Sequence, residues 1–148
     1  NGAKLSFPVV DLSGKVAVVT GGNAGIGYET AKALAIMGST YHYASRSSEK
    51  ANALFRSTKD FSVAFREKNL PLHILINNAG ISGVPLTMTE DGYESHFQVN
   101  YLSHFLLTLE LLLLYWPQRQ TVEIVELLLY HFSAHTDAVF EPGNMNAE

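Results

Sequence analysis

Apolar residues along this chain fall into short unbroken runs, and polar stretches with a helical period separate them. The run in KVAVVTGG ends in glycines and predicts a strand buried on both faces from Lys15 to Val19. After it the period changes. Ile26, Thr30, Ala33, Leu34 and Met37 share one face of a helix running from Gly25, which Gly38 ends. STYHYASR predicts a second strand, Thr40 to Ser45. Glu49 to Lys68 reads as helical, in one piece or two, and STKD at 57–60 has the spacing of a capping box, Ser57 capping with Asp60 three residues on. LHILINNAG predicts a third buried strand ending in a turn, and Asp91 to Tyr115 a long helix with a break near its start.

Beyond Tyr115 the pattern supports two readings. In TVEIVELLLYHF, TVEIV forms a strand followed by a helix, or Val122, Val125, Leu129 and Phe132 line one face of a single helix. The single helix is the preferred expectation. Alternating strands and helices imply a parallel α/β sheet. No internal repeat or low-complexity linker divides the chain, so its 148 residues are expected to form one domain.

Composition narrows the classes of function. The chain is 47% apolar and 16% charged, with a mean hydropathy of +0.06, ordinary values for a globular protein. Its net charge of −4, with no block of Lys or Arg, argues against nucleic acid or an anionic membrane as the main partner. There is no cysteine, hence no disulfide framework and no thiolate chemistry. The most apolar run, FLLTLELLLLYW at 105–116, contains Glu110 and falls short of the roughly 20 residues of a membrane span. It reads as a core or interface helix. No apolar leader opens the chain, and a cytoplasmic location is the expectation.

The clearest chemistry lies in TGGNAGIG, residues 20–27. Gly21 permits a tight turn, Gly25 lets the backbone approach a pyrophosphate, and Gly27 lets the helix pack close on the strand. The helix start then offers unpaired N–H groups and a partial positive charge to phosphates. A strand before the loop and a helix after it supply the context that such a glycine triplet requires. Where the second strand ends, an acidic residue would grip the ribose 2′-hydroxyl of NAD. Here Ser45 and Arg46 stand instead, and a hydroxyl with a cation suits the 2′-phosphate of NADP, so NADP(H) is expected over NAD(H).

TGGNAGIG (20–27), NNAG (77–80) and NYLSHFLLT (100–108) resemble the short-chain dehydrogenase/reductase family. NLPLHILINNAG and DGYESHFQVNYLSHFLLT look most like its branch of retinol dehydrogenases and WW-domain-containing oxidoreductases. The likeness is specific over about residues 12–46 and 68–114, with a shorter match at AVFEPGNM (138–145). It implies a Rossmann-like, doubly wound parallel sheet and hydride transfer between a carbonyl or alcohol and a nicotinamide cofactor. It also implies roles. Thr20, Gly21, Asn23, Gly25, Ile26 and Gly27 would hold the pyrophosphate. Asn78, Ala79 and Gly80 would line the adenosine side. Asn100 would stand beside the reaction centre and help anchor a proton-relay water, and Pro142 and Gly143 would lie near the nicotinamide. The Leu-rich helix over 101–116 would be a dimer face.

Other parts of the pattern are missing. The family's chemistry needs a tyrosine acid/base with a lysine one helical turn later, well beyond the Asn100 position. No lysine occurs after Lys68. Tyr130 is followed four places on by Ala134; Tyr115 is followed by Arg119, with Pro117 between them. Tyr28 and Lys32 have the spacing but sit on the first helix, away from the hydride-transfer site that the family implies. Only thirty residues, Ser47 to Ile76, separate Arg46 from Asn77. One crossover unit takes about that many, so one strand and one helix are expected to be lost, with the acidic residue that would flank the adenine. The second strand then becomes a sheet edge. The fold expected is thus an incomplete Rossmann domain over residues 1–148, its substrate-side half missing or replaced. Among the six histidines only His131 and His135 have metal-like spacing, without the context of a metal site. Two functions remain: an NADP(H)-dependent oxidoreductase, or a non-catalytic shortened form that binds dinucleotide weakly or pairs with a full-length relative.

Overall fold

The computed structural model describes residues 10–44, 54–115 and 123–126. Strand β1 (Val16–Thr20) leads into helix α1 (Gly25–Ile36), then β2 (Thr40–Ala44), α2 (Leu54–Glu67) and β3 (Ile74–Asn77). A short helix α3 (Ser95–Phe97), a π-helical turn (Gln98–Leu102) and helix α4 (Ser103–Tyr115) follow, and β4 (Glu123–Glu126) closes the order. The four strands form one parallel sheet in the order β2-β1-β3-β4.

The strand order explains itself by subtraction. A doubly wound sheet of order 3-2-1-4-5-6 that loses its third strand reads 2-1-4-5 from that edge. That is the order seen here, with β2 at the edge as the short 47–76 connection predicts. Handedness then distributes the helices. A right-handed crossover from β1 to β2 runs one way along the sheet, and those from β2 to β3 and from β3 to β4 run the other, so their helices belong on opposite faces. The core divides accordingly. Ala17, Val19 and Ile76 pack with Ala31 and Leu34 of α1 on one face. Val16, Val18 and Leu75 pack with Phe65 of α2 and Leu107 and Leu111 of α4 on the other. Adjacent residues of β1 point to opposite faces, and all five of its residues are buried, which is why that strand is apolar without alternation.

Several expectations need correction. TVEIV is a strand, not part of a helix: Glu123–Glu126 pairs in parallel with Ile74–Asn77. Short apolar runs do not separate the two periods. The free N–H and C=O groups along the outer side of β3, together with the β-branched Ile124 and Val125, decide for the sheet. The inward face of α1 is Gly27, Ala31 and Leu34, whereas Ile26 is 54% exposed and Ala33 is exposed. The glycine loop sets this rotation, because Gly27 must face the loop it packs on. No capping box forms at 57–60. Helix α2 already includes Leu54, and the Ser57 hydroxyl turns back to donate to the Leu54 carbonyl at 3.0 Å. The N–H of Phe55 is satisfied from elsewhere, by Asp91 Oδ2 at 3.1 Å. β1 and β2 each end within one residue of their expected bounds.

The break expected in the 91–115 helix is the π turn. Glu94 caps the segment, its carboxylate accepting from the Phe97 N–H at 2.8 Å. Beyond it, Tyr101, Phe105, Leu109 and Leu113 form an exposed apolar ladder at four-residue spacing. Among the described residues, no helix is long and apolar enough to cross a membrane.

Candidate functional site

The glycine loop lies at the carboxyl end of β1, where the chain turns from the sheet into α1. Gly21 (φ 66°) and Gly25 (φ 55°) adopt left-handed backbone, which strains any residue with a Cβ. The Gly21 N–H donates to the Ala44 carbonyl at 2.9 Å, tying the loop to the end of β2. Gly27 is required by contact rather than by φ: a Cβ there would overlap the Gly21 carbonyl and the Asn78 amide nitrogen. Helix α1 starts without a side-chain cap and with no acidic residue in its first turn. Its first N–H groups and its dipole are therefore open to an anion. Asn23 and Ile26 are exposed at this mouth. A cradle that a Cβ would fill, beside an uncapped helix start, fits the pyrophosphate of a dinucleotide.

A hydrogen-bonded brace of Thr20, Asn78 and His104 holds this loop to β3 and α4. The buried Thr20 hydroxyl accepts from the N–H groups of Asn78 (2.8 Å) and Ala79 (2.9 Å) and lies 3.0 Å from His104 Nε2. Asn78 Nδ2 donates to the Thr20 carbonyl at 2.8 Å. His104 Nδ1 lies 3.2 Å from the Asn100 carbonyl oxygen. A carbonyl only accepts, so Nδ1 carries the proton and, in the neutral ring, Nε2 accepts from the Thr20 hydroxyl. The brace saturates Thr20 Oγ1: two bonds in, one out.

Asn100 sits inside the π turn and holds the loop after β3 at both ends of one peptide unit pair. Its Oδ1 accepts from the Ile81 N–H at 2.8 Å, and its Nδ2 donates to the Ile81 carbonyl at 3.0 Å. A side chain at Gly80 would come within 3.4 Å of that Oδ1. The sequence pointed to Thr20, Asn78, Ala79, Gly80 and Asn100 separately, and the fold brings them together with the loop. His104 it did not single out. Its signal was the four-residue step from Asn100, which places both on one helical face.

Ser45, Arg46, Pro142 and Gly143 lie outside the described residues, as do Tyr130, His131 and His135. Tyr28 and Lys32 are on the outer face of α1. Tyr28 is half exposed, and Lys32 pairs with Glu29 at 3.6 Å. Among the described residues, no group of three or more His, Asp or Glu could hold a metal ion. Where α2 and α4 meet the carboxyl ends of β1, β2 and β3 there is an open cleft whose lining includes Thr20, Ala44 and Ala79.

Comparison with known proteins agrees with this geometry. The family model described as short chain dehydrogenase matches residues 15–66. The chain is 44% identical over 119 residues to the WW domain-containing oxidoreductase of Gallus gallus, covering 66% of this chain and 29% of that protein. It is 42% identical over 116 residues to human polyprenol dehydrogenase, covering 64% of this chain and 35% of that protein. A metagenomic short-chain oxidoreductase solved in complex with NADP superposes with a TM-score of 0.61 at 26% identity, over 78% of this chain and 62% of that one. The chain thus spans well under half the length of these two curated relatives. Fold, glycine loop and relatives converge: the chain belongs to the short-chain dehydrogenase/reductase family and carries an incomplete Rossmann-like sheet.

Proposed function

We propose that this chain is a dinucleotide-binding domain of the short-chain oxidoreductase type that holds NADP(H) in its Thr20–Gly27 loop and lacks the family's proton-transfer pair. The observation that carries the reading is the Gly27 cradle, in which the Gly21 carbonyl and the Asn78 amide occupy the space of a side chain. So close a fit of helix on strand serves to aim uncapped N–H groups at a phosphate. Ser45 and Arg46, directly after β2, would take the 2′-phosphate that separates NADP from NAD. Asn78, Ala79 and Gly80 would border the adenosine half, and Pro142 and Gly143 the nicotinamide. When bound, the cofactor would supply a hydride to a carbonyl or accept one from an alcohol.

For proton transfer the chain has no lysine beyond Lys68. Tyr28 and Lys32, on the outer face of α1, are not placed to replace the pair. Asn100 then serves as a positioning residue, clamping the loop after β3 through Ile81.

A thermal melt tests the binding half. NADPH at a hundred times its Kd stabilises by about 2.7 kcal/mol, which raises Tm by about 5–10 °C in a chain of this size. Gly25→Val, which forces a β-branched residue into left-handed backbone, should abolish the shift. No shift at millimolar NADPH sinks the reading. NADPH oxidation with retinal or another carbonyl should be absent; turnover lost on Lys32→Ala would restore Tyr28 and Lys32 to catalysis.

The Tyr101, Phe105, Leu109 and Leu113 ladder favours a second reading, in which the 101–116 helix pairs with a second copy or a full-length relative. Phe97, Tyr101 and Phe105 stack along it at 5.5 and 6.3 Å, a continuous apolar surface open to solvent.

A further inference from the structure

The first turn of α2 is held by a carboxylate from a distant loop. That turn carries no acidic residue of its own, and Arg56 within it opposes the helix dipole. The partner comes from the segment before the π turn. Bonds from the Gly92 N–H to the Thr89 carbonyl (3.0 Å) and from the Thr89 N–H to the Tyr93 carbonyl (2.9 Å) close a tight turn around Asp91. Asp91 Oδ2 accepts from the Phe55 N–H at 3.1 Å. The same oxygen accepts from Nε2 of Gln98, a fully buried residue of the π turn. Gln98 is fixed in turn, since the Thr89 hydroxyl donates to its Oε1. A second contact runs beside the first: the Tyr93 and Phe55 rings meet edge to face, centroids 5.5 Å apart at 65°.

One carboxylate oxygen therefore joins the start of α2 to the turn that carries Asn100. Asn100 in turn clamps the loop after β3 through Ile81. Both sides of the cleft thus hang from the π turn. Leu54 and Phe61 of α2 line it together with Ala44 at the end of β2 and Ala79 after β3. Ala44 directly precedes Ser45 and Arg46, and Ala79 belongs to the Asn78–Gly80 stretch. On the dinucleotide reading, the adenosine half lies between these two stretches, so its flat apolar faces meet the α2 wall.

We propose that Asp91 is a positioning residue for the adenosine half of the dinucleotide, holding Leu54 and the first turn of α2 as one wall of its site. The inference rests on the dinucleotide reading. Without the Asp91 oxygen, the Phe55 N–H and the buried Gln98 amide both lose their acceptor. The first turn then frays, because its remaining side-chain bond, from the Ser57 hydroxyl to the Leu54 carbonyl, lies within the turn itself. Leu54, 4% exposed, moves away with it and the adenosine loses an apolar face.

Calorimetric titration of adenosine 2′,5′-bisphosphate and of NADPH into the full chain, well below the Tm of each variant, tests this. Asp91→Ala should weaken both ligands about fivefold, the effect of one lost helix cap. Asp91→Asn should stay within about twofold of wild type, because both donors meet a single oxygen and a carboxamide oxygen accepts equally. Leu72→Val, in the buried core just before β3, should lower Tm by a similar amount yet leave both affinities within about twofold. By reciprocity, bound adenosine 2′,5′-bisphosphate should slow hydrogen exchange at the Phe55 amide of the wild-type chain about fivefold, and this measurement decides if Asp91→Ala does not fold. Unchanged affinity in Asp91→Ala, equal weakening by Leu72→Val, or Phe55 exchange indifferent to the ligand each overturns the proposal. NADPH binding without these effects defeats this proposal alone, whereas no NADPH binding by the wild-type chain defeats the dinucleotide reading and this proposal with it.

Discussion

His42 carries a polar ring into an apolar layer. It sits on β2 with its imidazole edge-on to Phe65, centroids 5.6 Å apart at 76°, and its buried Nε2 has no partner among the described residues. Burial, and then the positive charge of Lys68, hold its pKa below the ordinary 6.5. The sign follows. Near pH 6.5 the unfolded chain takes up a proton that the folded chain refuses, so stability is full above 6.5 and falls as pH drops below it. His42→Leu should flatten the decline of Tm between about pH 7 and 5.5; an unchanged slope would show that His42 is not its source. The residues of the glycine loop were legible one by one, because left-handed turns and close approaches demand glycine whatever surrounds them. His42 and His104 were not, since a histidine's role depends on what the fold places against its ring.

Helix termini show the same division among elements. The Glu94 carboxylate takes the Phe97 and Ser95 donors and lies 2.8 Å from His96 Nδ1. Burial alone would raise its pKa. Hydrogen bonds from the His96 backbone and ring, from the Phe97 N–H and from Ser95 outweigh that and lower it from 4.5 to about 2. A depressed carboxylate stabilises the fold above its unfolded pKa, so this contribution fades as pH falls from about 4.5 to about 2. Glu94→Ala should cost about 1 kcal/mol at pH 7 in a denaturant melt, and less as pH falls through that window. A cost independent of pH would assign Glu94 a packing role instead. The 57–60 pattern had the right spacing but the wrong place. Helix α2 begins earlier, and the partner of its Phe55 N–H comes from Asp91, thirty-six residues away, which no local pattern announces.

At the scale of the whole molecule, the exposed feature of this topology is β2. The Thr40 N–H and Ala44 carbonyl bond toward β1, so by alternation the backbone groups of Tyr41 and Tyr43 point away from it. Thr40–Ala44 carries no charge and no proline, the usual devices that protect an edge. Tyr41→Lys, at a position 37% exposed, should lower self-association in sedimentation at high protein concentration with little change in Tm. Equal association by both forms would move the interface elsewhere, to the α4 ladder first. The short 47–76 connection foretold this edge, because a chain too brief for two crossovers has to skip a strand.

From its order of residues alone, this chain determined its buried strands, its phosphate-type loop, the family it resembles and the absence of a late lysine. Each depends on neighbours within a few places or on a simple count. Only the tertiary structure decided that TVEIV joins the sheet, which face of α1 turns inward, that Asp91 serves α2, and that His104 locks Thr20 to the π turn. In each of these a donor, an acceptor or an apolar surface is completed by a partner distant in sequence, and the choice is settled by which groups would otherwise be buried unpaired.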